Sequence, residues 1–596
     1  MSSTPFRSDY HDARYADPDA VSQPDYEWAV ERDVTIVVRD GCRLSADIFR
    51  PKTEKPVPAL LAVSPYGKDK QSMGLPPQPH NSLVFDHGLE AGDYEFFTSR
   101  GYTYVILDPR GCGSSDGEWF GFYSRQEQED TYDVIEWIAV QPWCDGNVGM
   151  TGHSYFGIMQ LLTAELQPPA LKAIAPMEFF VDLYEKAFPG GITSSVYWFV
   201  SSMVANHTTV FNSERMYSPD DLKALLESRR RDPDIAANPY FVHELSAPHK
   251  NAAYMDMLLH QTQGDFWDER SARNRLENIN IPVHSFGFWT YGFLLDGVFD
   301  VFSDTRVTTS KRASVLTYGT SSAKLPLRVY NEELLRWYDH WLKGLDTGIT
   351  DEPPVKILVL GEERYRYENE WPLARTNWKK LYLRPFGELD FNSVVDDDLP
   401  PDSFVHRPPH VSMKFDSLEY ETAPFKQDME VTGPLNLTLS ASIDQPDANF
   451  IVHVYDVDPS GGMRFLSKGY LKASHRELHE DSTEWHTRHS HHNPTGVPLN
   501  EIIEYKIYLS VISNVFKKGH RLLLIIGSLE AEAAGSSNTI DLSNIGTKMA
   551  QLGALPSSKT TCYRIYRDGT HESYLYLPVV PLTPSNHDRW VQPLCD

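Results

Sequence analysis

The residues best suited to chemistry lie in Val148-Gly-Met-Thr-Gly-His-Ser-Tyr-Phe-Gly157. A short strand runs into the tight turn Gly152-His153-Ser154, and a helix leaves through Tyr155, Gly157 and Met159. That is the setting of a nucleophile elbow, in which small residues relieve a cramped turn and the serine hydroxyl is lifted above a sheet at a helix N-terminus. The spacing is G-x-S-Y-x-G rather than G-x-S-x-G, so the generic motif is met in part, and an ordinary Gly-Ser turn is the plain alternative. Ser154 is the candidate nucleophile, and a serine hydroxyl needs a neighbouring base to take its proton at neutral pH. His153 is adjacent, but the residue at that point of an elbow normally points into the sheet. A second segment, Val63-Ser-Pro-Tyr-Gly67, follows an apolar strand. A loop there can aim a donor at the elbow, because ligands bind at the C-terminal edge of an open parallel sheet. The Tyr66 hydroxyl would then join the backbone N–H of Tyr155 in holding an oxyanion. Composition alone favours a loop tyrosine packed on the domain surface.

Three zones must position these residues. In the first, 1–190, Val34–Val38, Ala59–Val63 and Tyr102–Leu107 read as strands, the last two nearly all apolar, as befits strands covered on both faces. Tyr132, Ile135, Ile138 and Ala139 share one helical face after them. Strands alternating with such helices specify an α/β sheet with right-handed crossovers. The second zone, 191–275, carries helical segments such as Ser218–Glu227, with Ser218 as N-cap and Pro219 at the first position, and reads as a helical insertion. The α/β pattern resumes over 276–354 with Ile281–Phe286, Ala313–Tyr318 and a helix from Glu332 through Leu342. The third zone, 355–596, is all-β in texture, with strand-like runs at Leu435–Leu439, Phe450–Tyr455, Ile502–Tyr508 and Arg521–Ile526, which suggests a sandwich or jelly roll.

Composition narrows the function. The 596 residues carry 55 basic and 82 acidic side chains, a net charge of −27. Nucleic-acid binding and attachment to an anionic membrane both rest on Lys and Arg, so neither partner is expected. Five scattered cysteines without a CxxC pair argue against a disulfide framework or a structural zinc. The opening residues lack an apolar core of the signal-peptide kind, and no run of 18 apolar residues occurs, so a cytoplasmic location is the expectation. His475, His479, His486, His489, His491 and His492 gather near Pro494 and Gly496 and read as a solvated sandwich loop rather than a metal site. Arg229-Arg-Arg231 follows the helix ending near Glu227 and complements its C-terminal dipole. Without a Gly-rich phosphate loop or dinucleotide fingerprint, no cofactor is expected.

The chain resembles the cocaine esterase, cephalosporin acylase and X-prolyl dipeptidyl aminopeptidase group of α/β-hydrolases. The likeness is carried by Asp40–Pro51, Asp108–Gly117, Gln141-Pro-Trp-Cys-Asp-Gly146 with the elbow, Trp337–Gly344 and Phe516–Arg521. It implies an α/β-hydrolase core, a helical cap in the second zone and a C-terminal jelly roll, with Ser154 as nucleophile and Tyr66 and the Tyr155 amide as oxyanion donors. The family's triad acid falls in a Gly-Trp-Tyr-Asp-Gly-Phe-like stretch. Aligned on Pro282, Trp289, Gly292 and Phe293, this chain has Tyr291 in its place. The family's histidine falls in a Gly-Pro-Trp-Ser/Thr-His-like stretch, where this chain has Gly319-Thr-Ser-Ser-Ala323. Both the acid and the base are replaced. Asp296, five residues beyond Tyr291, could serve as acid in a remodelled loop, whereas His284 reads as a core histidine.

Three readings follow. In the first, Ser154 attacks the carbonyl of an ester, amide or acyl group on a small hydrophobic organic substrate, as an aromatic-rich cleft would favour. In the second, the cleft is repurposed for a non-hydrolytic step (cyclisation, isomerisation or carbon–carbon bond chemistry), with Tyr66, Ser154 and Tyr291 as hydrogen-bond donors. In the third, the protein is an inert binding scaffold. A homo-oligomer is compatible with all three.

Overall fold

A computed structural model describes residues 11–73, 89–205, 208–209, 217–236, 238–246, 252–289, 292–317, 328–393, 399–408, 411–412, 416–529, 554–582 and 589–594. Tyr291 and Ala323 lie outside the described residues. A ten-stranded sheet is built from β1 (Trp28–Val37), β2 (Arg43–Pro51), β3 (Val57–Val63), β4 (Thr103–Asp108), β5 (Cys144–Met150), β6 (Leu171–Ile174), β7 (Val283–Phe288), β8 (Lys311–Thr317), β9 (Val355–Val359) and β10 (Arg364–Glu368). Their order is β1-β2-β4-β3-β5-β6-β7-β8-β9-β10. From β4 to β9 all neighbours are parallel, and antiparallel strands flank this centre. Helices cover both faces, which is why β3, β4, β7 and β8 are buried along almost their whole length.

The sheet changes over later than the sequence pattern suggests. The β texture beginning at residue 355 was assigned to the C-terminal domain, yet β9 and β10 pair onto β8 and finish the first sheet. Local alternation marks a strand but not its partner. The remaining strands form the second sheet system: β11 (Asn377–Arg384), β12 (Glu388–Asp390), β13 (Asp402–His406), β14 (Leu418–Thr422), β15 (Met429–Ile443), β16 (Asn449–Val457), β17 (Met463–Lys472), β18 (Ile503–Phe516), β19 (Arg521–Gly527), β20 (Thr561–Tyr566) and β21 (Tyr574–Val580). β21 pairs with both β11 and β15, which folds the array back on itself as a β-rich, barrel-like unit. The register of β15 slips between Gly433 and Leu435, where Pro434 offers no amide to the ladder. Between β6 and β7 the described residues are helical or irregular, and Ser218 caps the helix Pro219–Arg231 by accepting the amide of Asp221.

Charged side chains fasten the helix Arg328–Lys343 beneath the sheet. Arg336 reaches Glu352 at 2.7 Å, Arg312 reaches the same carboxylate at 2.9 Å, and Lys356 of β9 pairs with Glu333. All five side chains are buried. Attraction between buried charges offsets their desolvation only while each is paired, and removing one partner costs about 3–5 kcal/mol. The variant Glu352→Ala, which strands two guanidinium groups, is therefore expected to lose stability on that scale in urea unfolding. An unchanged midpoint would show that solvent reaches the network.

Candidate active site

The elbow forms where β5 ends. Ser154 adopts φ 62° and ψ −118°, a conformation that a non-glycine residue holds only under constraint, and it caps the helix Tyr155–Ala164. Two contacts explain the spacing of the glycines. A Cβ at Gly152, where φ is +112°, would lie 2.5 Å from Phe156, and one at Gly157 would lie 2.6 Å from the Met177 carbonyl. Gly157 thus supplies, one residue later than in the generic motif, the close approach that lets the helix rest on the chain beyond β6. The Ser154 amide donates to the Met177 carbonyl at 2.9 Å, and the His153 amide donates to the Glu90 carbonyl at 2.9 Å. Ser154 itself is partly exposed.

Tyr155 is fixed by its ring rather than by its backbone. The buried hydroxyl donates to Glu127 Oε2 at 2.8 Å and accepts the Tyr123 amide at 3.1 Å, with the Tyr123 ring stacked at 4.2 Å. Its backbone N–H opens the helix and has no intrahelical acceptor. Tyr66 stands beside it, its ring edge-on to Tyr155 at 5.7 Å and to Phe156 at 6.4 Å. Tyr66 thus packs on the two residues that follow Ser154 in the chain.

The other sequence candidates separate from this cluster. Asp296 is turned to the C-terminal domain, accepting hydrogen bonds from Ser510 at 2.9 Å and Tyr508 at 3.1 Å, so it is not the replacement acid considered above. Burial raises its carboxyl to about 6. His284 is a core residue, its Nε2 2.9 Å from the Ser314 hydroxyl and its ring against Phe286. His153 keeps a sealed Nδ1 without a hydrogen-bond partner, and burial pulls its pKa down to about 4. The histidine-rich segment is not a solvated loop. It folds back over the entry to the helical region, where His475 and His491 are buried with their Nδ1 atoms 3.0 Å apart and His491 lies against Tyr184. Burial, then nearby Lys472, lowers His475 to about 3. Only His492 of the six is fully exposed. Among the described residues, no group of three or more His, Cys, Asp or Glu side chains is arranged to hold a metal ion. Of the basic run, Arg229 is buried in an ion pair with Asp232 at 2.7 Å.

Two carboxyls at the elbow escaped the sequence reading. Glu127 lies in the helix Arg125–Ala139 and Glu178 just beyond β6, both fully enclosed. Neither belongs to a motif, and a lone Glu in an apolar stretch (Ala175-Pro-Met-Glu-Phe-Phe180) was the only available signal.

An α/β-hydrolase sheet with a serine elbow at the end of β5, a helical insertion and a β-rich C-terminal unit defines a serine hydrolase architecture. Residues 40–320 match the X-Pro dipeptidyl-peptidase domain of the S15 family, and residues 347–576 match the X-Pro dipeptidyl-peptidase C-terminal non-catalytic domain. The chain belongs to this S15 family of serine hydrolases. It is 26% identical to a cocaine esterase of Rhodococcus over 93% of this chain and 99% of that protein. It is 27% identical to a putative serine esterase of Mycobacterium tuberculosis over 95% of this chain and 98% of that protein. Among solved structures, a CocE/NonD family hydrolase from Staphylococcus aureus superposes with a TM-score of 0.73 at 23% identity, covering 93% of this chain and 94% of that one. An α-amino acid ester hydrolase superposes with a TM-score of 0.71 at 19% identity, covering 93% and 97%. At these identities the structural likeness establishes the fold.

Glu127 gives the elbow a pH-dependent support. Burial lifts its carboxyl from the ordinary 4.5 to about 8, so it is protonated at neutral pH. Between those values the unfolded chain has released the proton and the folded chain retains it, so this group's contribution to stability falls as pH rises. The slope approaches about 1.4 kcal/mol per pH unit. Comparing urea unfolding at pH 5.5 and 7.5, the wild type is expected to lose about 1–2 kcal/mol more than Glu127→Gln. Equal losses would place the proton elsewhere.

Proposed function

We propose that the protein is a serine hydrolase acting on an ester, amide or acyl group of a small hydrophobic organic substrate. Ser154 is the nucleophile, and Tyr66 with the Tyr155 amide holds the oxyanion. The observation that carries this reading is the backbone of Ser154, held at φ 62° at the head of a helix whose first residue, Tyr155, packs on Tyr66. A strained serine in that place has no packing value, because its side chain is short, polar and partly exposed. The Ser154 hydroxyl would add to the acyl carbon, the carbonyl oxygen would take negative charge toward the two donors, and collapse would expel the leaving group and form an acyl-enzyme. Water would then release the acid. Membership of a family that includes esterases and dipeptidyl peptidases supports the hydrolytic class. The ring layer around the elbow (Tyr66, Phe122, Tyr123, Phe156) supports an apolar or aromatic acyl group.

Tyr291 and Ala323, at the family's acid and base positions, favour a second reading in which the same donors polarise a carbonyl for a non-hydrolytic rearrangement. Two variants separate the two. Under the hydrolytic reading, Ser154→Ala abolishes fluorophosphonate labelling and ester turnover. Tyr66→Phe keeps the fold and lowers kcat by about 100-fold, the usual effect of one oxyanion donor worth about 3 kcal/mol. Substantial turnover by Ser154→Ala would select the second reading. A wild type that never labels would rule out the covalent one.

A further inference from the structure

Glu178 combines features that no structural role accounts for. It is fully buried, and among the described residues its carboxyl oxygens have no side-chain partner, only the backbone amide of Phe288 acting on them. Such a group costs about 1–3 kcal/mol, and its retention in a native fold calls for a reason. Its backbone also sits at φ 50°, a second cost at the same residue.

Its position relative to the nucleophile is fixed by a parallel ladder. His153 is bridged to Met177 and Met177 to Phe286, side by side across three chain segments. The Ser154 amide donates to Met177 and the Glu178 amide to Phe286, each at 2.9 Å. Ser154, Glu178 and Gly287 therefore form the next row. At φ 50° Glu178 has left strand geometry, and its side chain lies apart from the apolar layer that takes Met177 and Phe286. Its carboxyl fills the space that Gly287 leaves open, where a Cβ would stand 3.5 Å from Oε1 and 2.9 Å from Leu295 and Val298. The result is a dry slot, floored by glycine and walled by the helix Gly292–Ser303, in the same row as the partly exposed serine.

We propose that Glu178 is the proton acceptor for the Ser154 hydroxyl, in place of the family's acid and base, a role that rests on Ser154 being the nucleophile. Its carboxylate takes the Oγ proton as the Oγ–acyl carbon bond forms. The same proton passes to the leaving oxygen or nitrogen as the acyl carbon's bond to it breaks. In the second half-reaction water gives up its proton to the carboxylate while adding to the acyl carbon, and Ser154 Oγ is reprotonated as it departs, so the carboxylate is restored at each turnover.

Burial raises the Glu178 carboxyl well above its ordinary 4.5, opposed by the Phe288 amide. Among the described residues no charged side chain adds to this. His153 and Glu90 flank the elbow, Tyr155 is engaged with Glu127, and His284 of β7 bonds Ser314. On the adjoining helix, Asp296 bonds Ser510 and Asp300 pairs with Arg273. The working form is the carboxylate, so reaction must speed up as pH rises and level off only above the normal carboxylate range.

The test is the rate constant of fluorophosphonate labelling of the full chain from pH 5 to 10, with Glu178→Gln and Glu90→Gln alongside. The wild-type rate is expected to climb with pH to a plateau. Glu178→Gln should label at least about 100-fold more slowly, the usual worth of a general base, and unfold at a temperature no lower than the wild type. Glu90→Gln should behave as the wild type. A flat wild-type profile, wild-type labelling by Glu178→Gln, or a loss confined to Glu90→Gln would overturn the assignment of Glu178 while leaving Ser154 in place. Absence of any wild-type labelling would remove both. Should Glu178→Gln fail to fold, Glu178→Asp takes its place, and labelling of that variant at the wild-type rate with the wild-type pH profile would overturn the assignment.

Discussion

The molecule depends on a pair of backbone hydrogen bonds beyond the ends of its strands. The amide of Ser154 is held by Met177, and the amide of Glu178 by Phe286. They extend the parallel ladder by one row past β5, β6 and β7, and in doing so keep two residues in left-handed conformations that each would otherwise abandon. Gly157 is required because any larger residue would push the helix off the Met177 carbonyl. The strain of the turn is thus borne by the sheet rather than by the turn, which is what lets a short, mobile side chain be presented in one orientation.

Around that ladder the polar groups are sorted by depth. Tyr155 spends its hydroxyl on Glu127, leaving only its amide directed to the site. Tyr66 is held by ring contacts and so keeps its position without a rigid backbone around it. Burial keeps Glu127 protonated where an exposed carboxylate would be charged, and it raises the Glu178 carboxyl well above its ordinary value. Electrostatics near the serine are therefore set by what water cannot reach, since no charged neighbour contributes to Glu178.

Much of this was legible in the sequence, for identifiable reasons. The elbow announced itself because its glycines are dictated by clashes within a few residues, and β3 and β4 because both their faces are covered. The helical insertion and the β-rich end were visible as changes of period. What failed was information held in distant partners. β9 and β10 look like the strands that follow them, and only pairing with β8 assigns them to the first sheet. The histidine segment reads as polar loop, yet its burial is decided by Tyr184 and the helical region, some 300 residues earlier. Asp296 sat close to the acid position in sequence, but helical geometry turned it away. Glu178 carried no motif because its surroundings come from three separate strands.

Asp296 makes the two halves of the chain interdependent. Its carboxyl is satisfied by hydroxyls of β18, in the helix Gly292–Ser303 that walls the slot. A shift of the C-terminal unit by a fraction of an ångström would pull on that helix and, through it, on the wall of the slot beside Gly287. The β-rich unit is therefore no detachable accessory. A hydrolase half severed from it would leave the Asp296 carboxyl buried without its two hydroxyl donors.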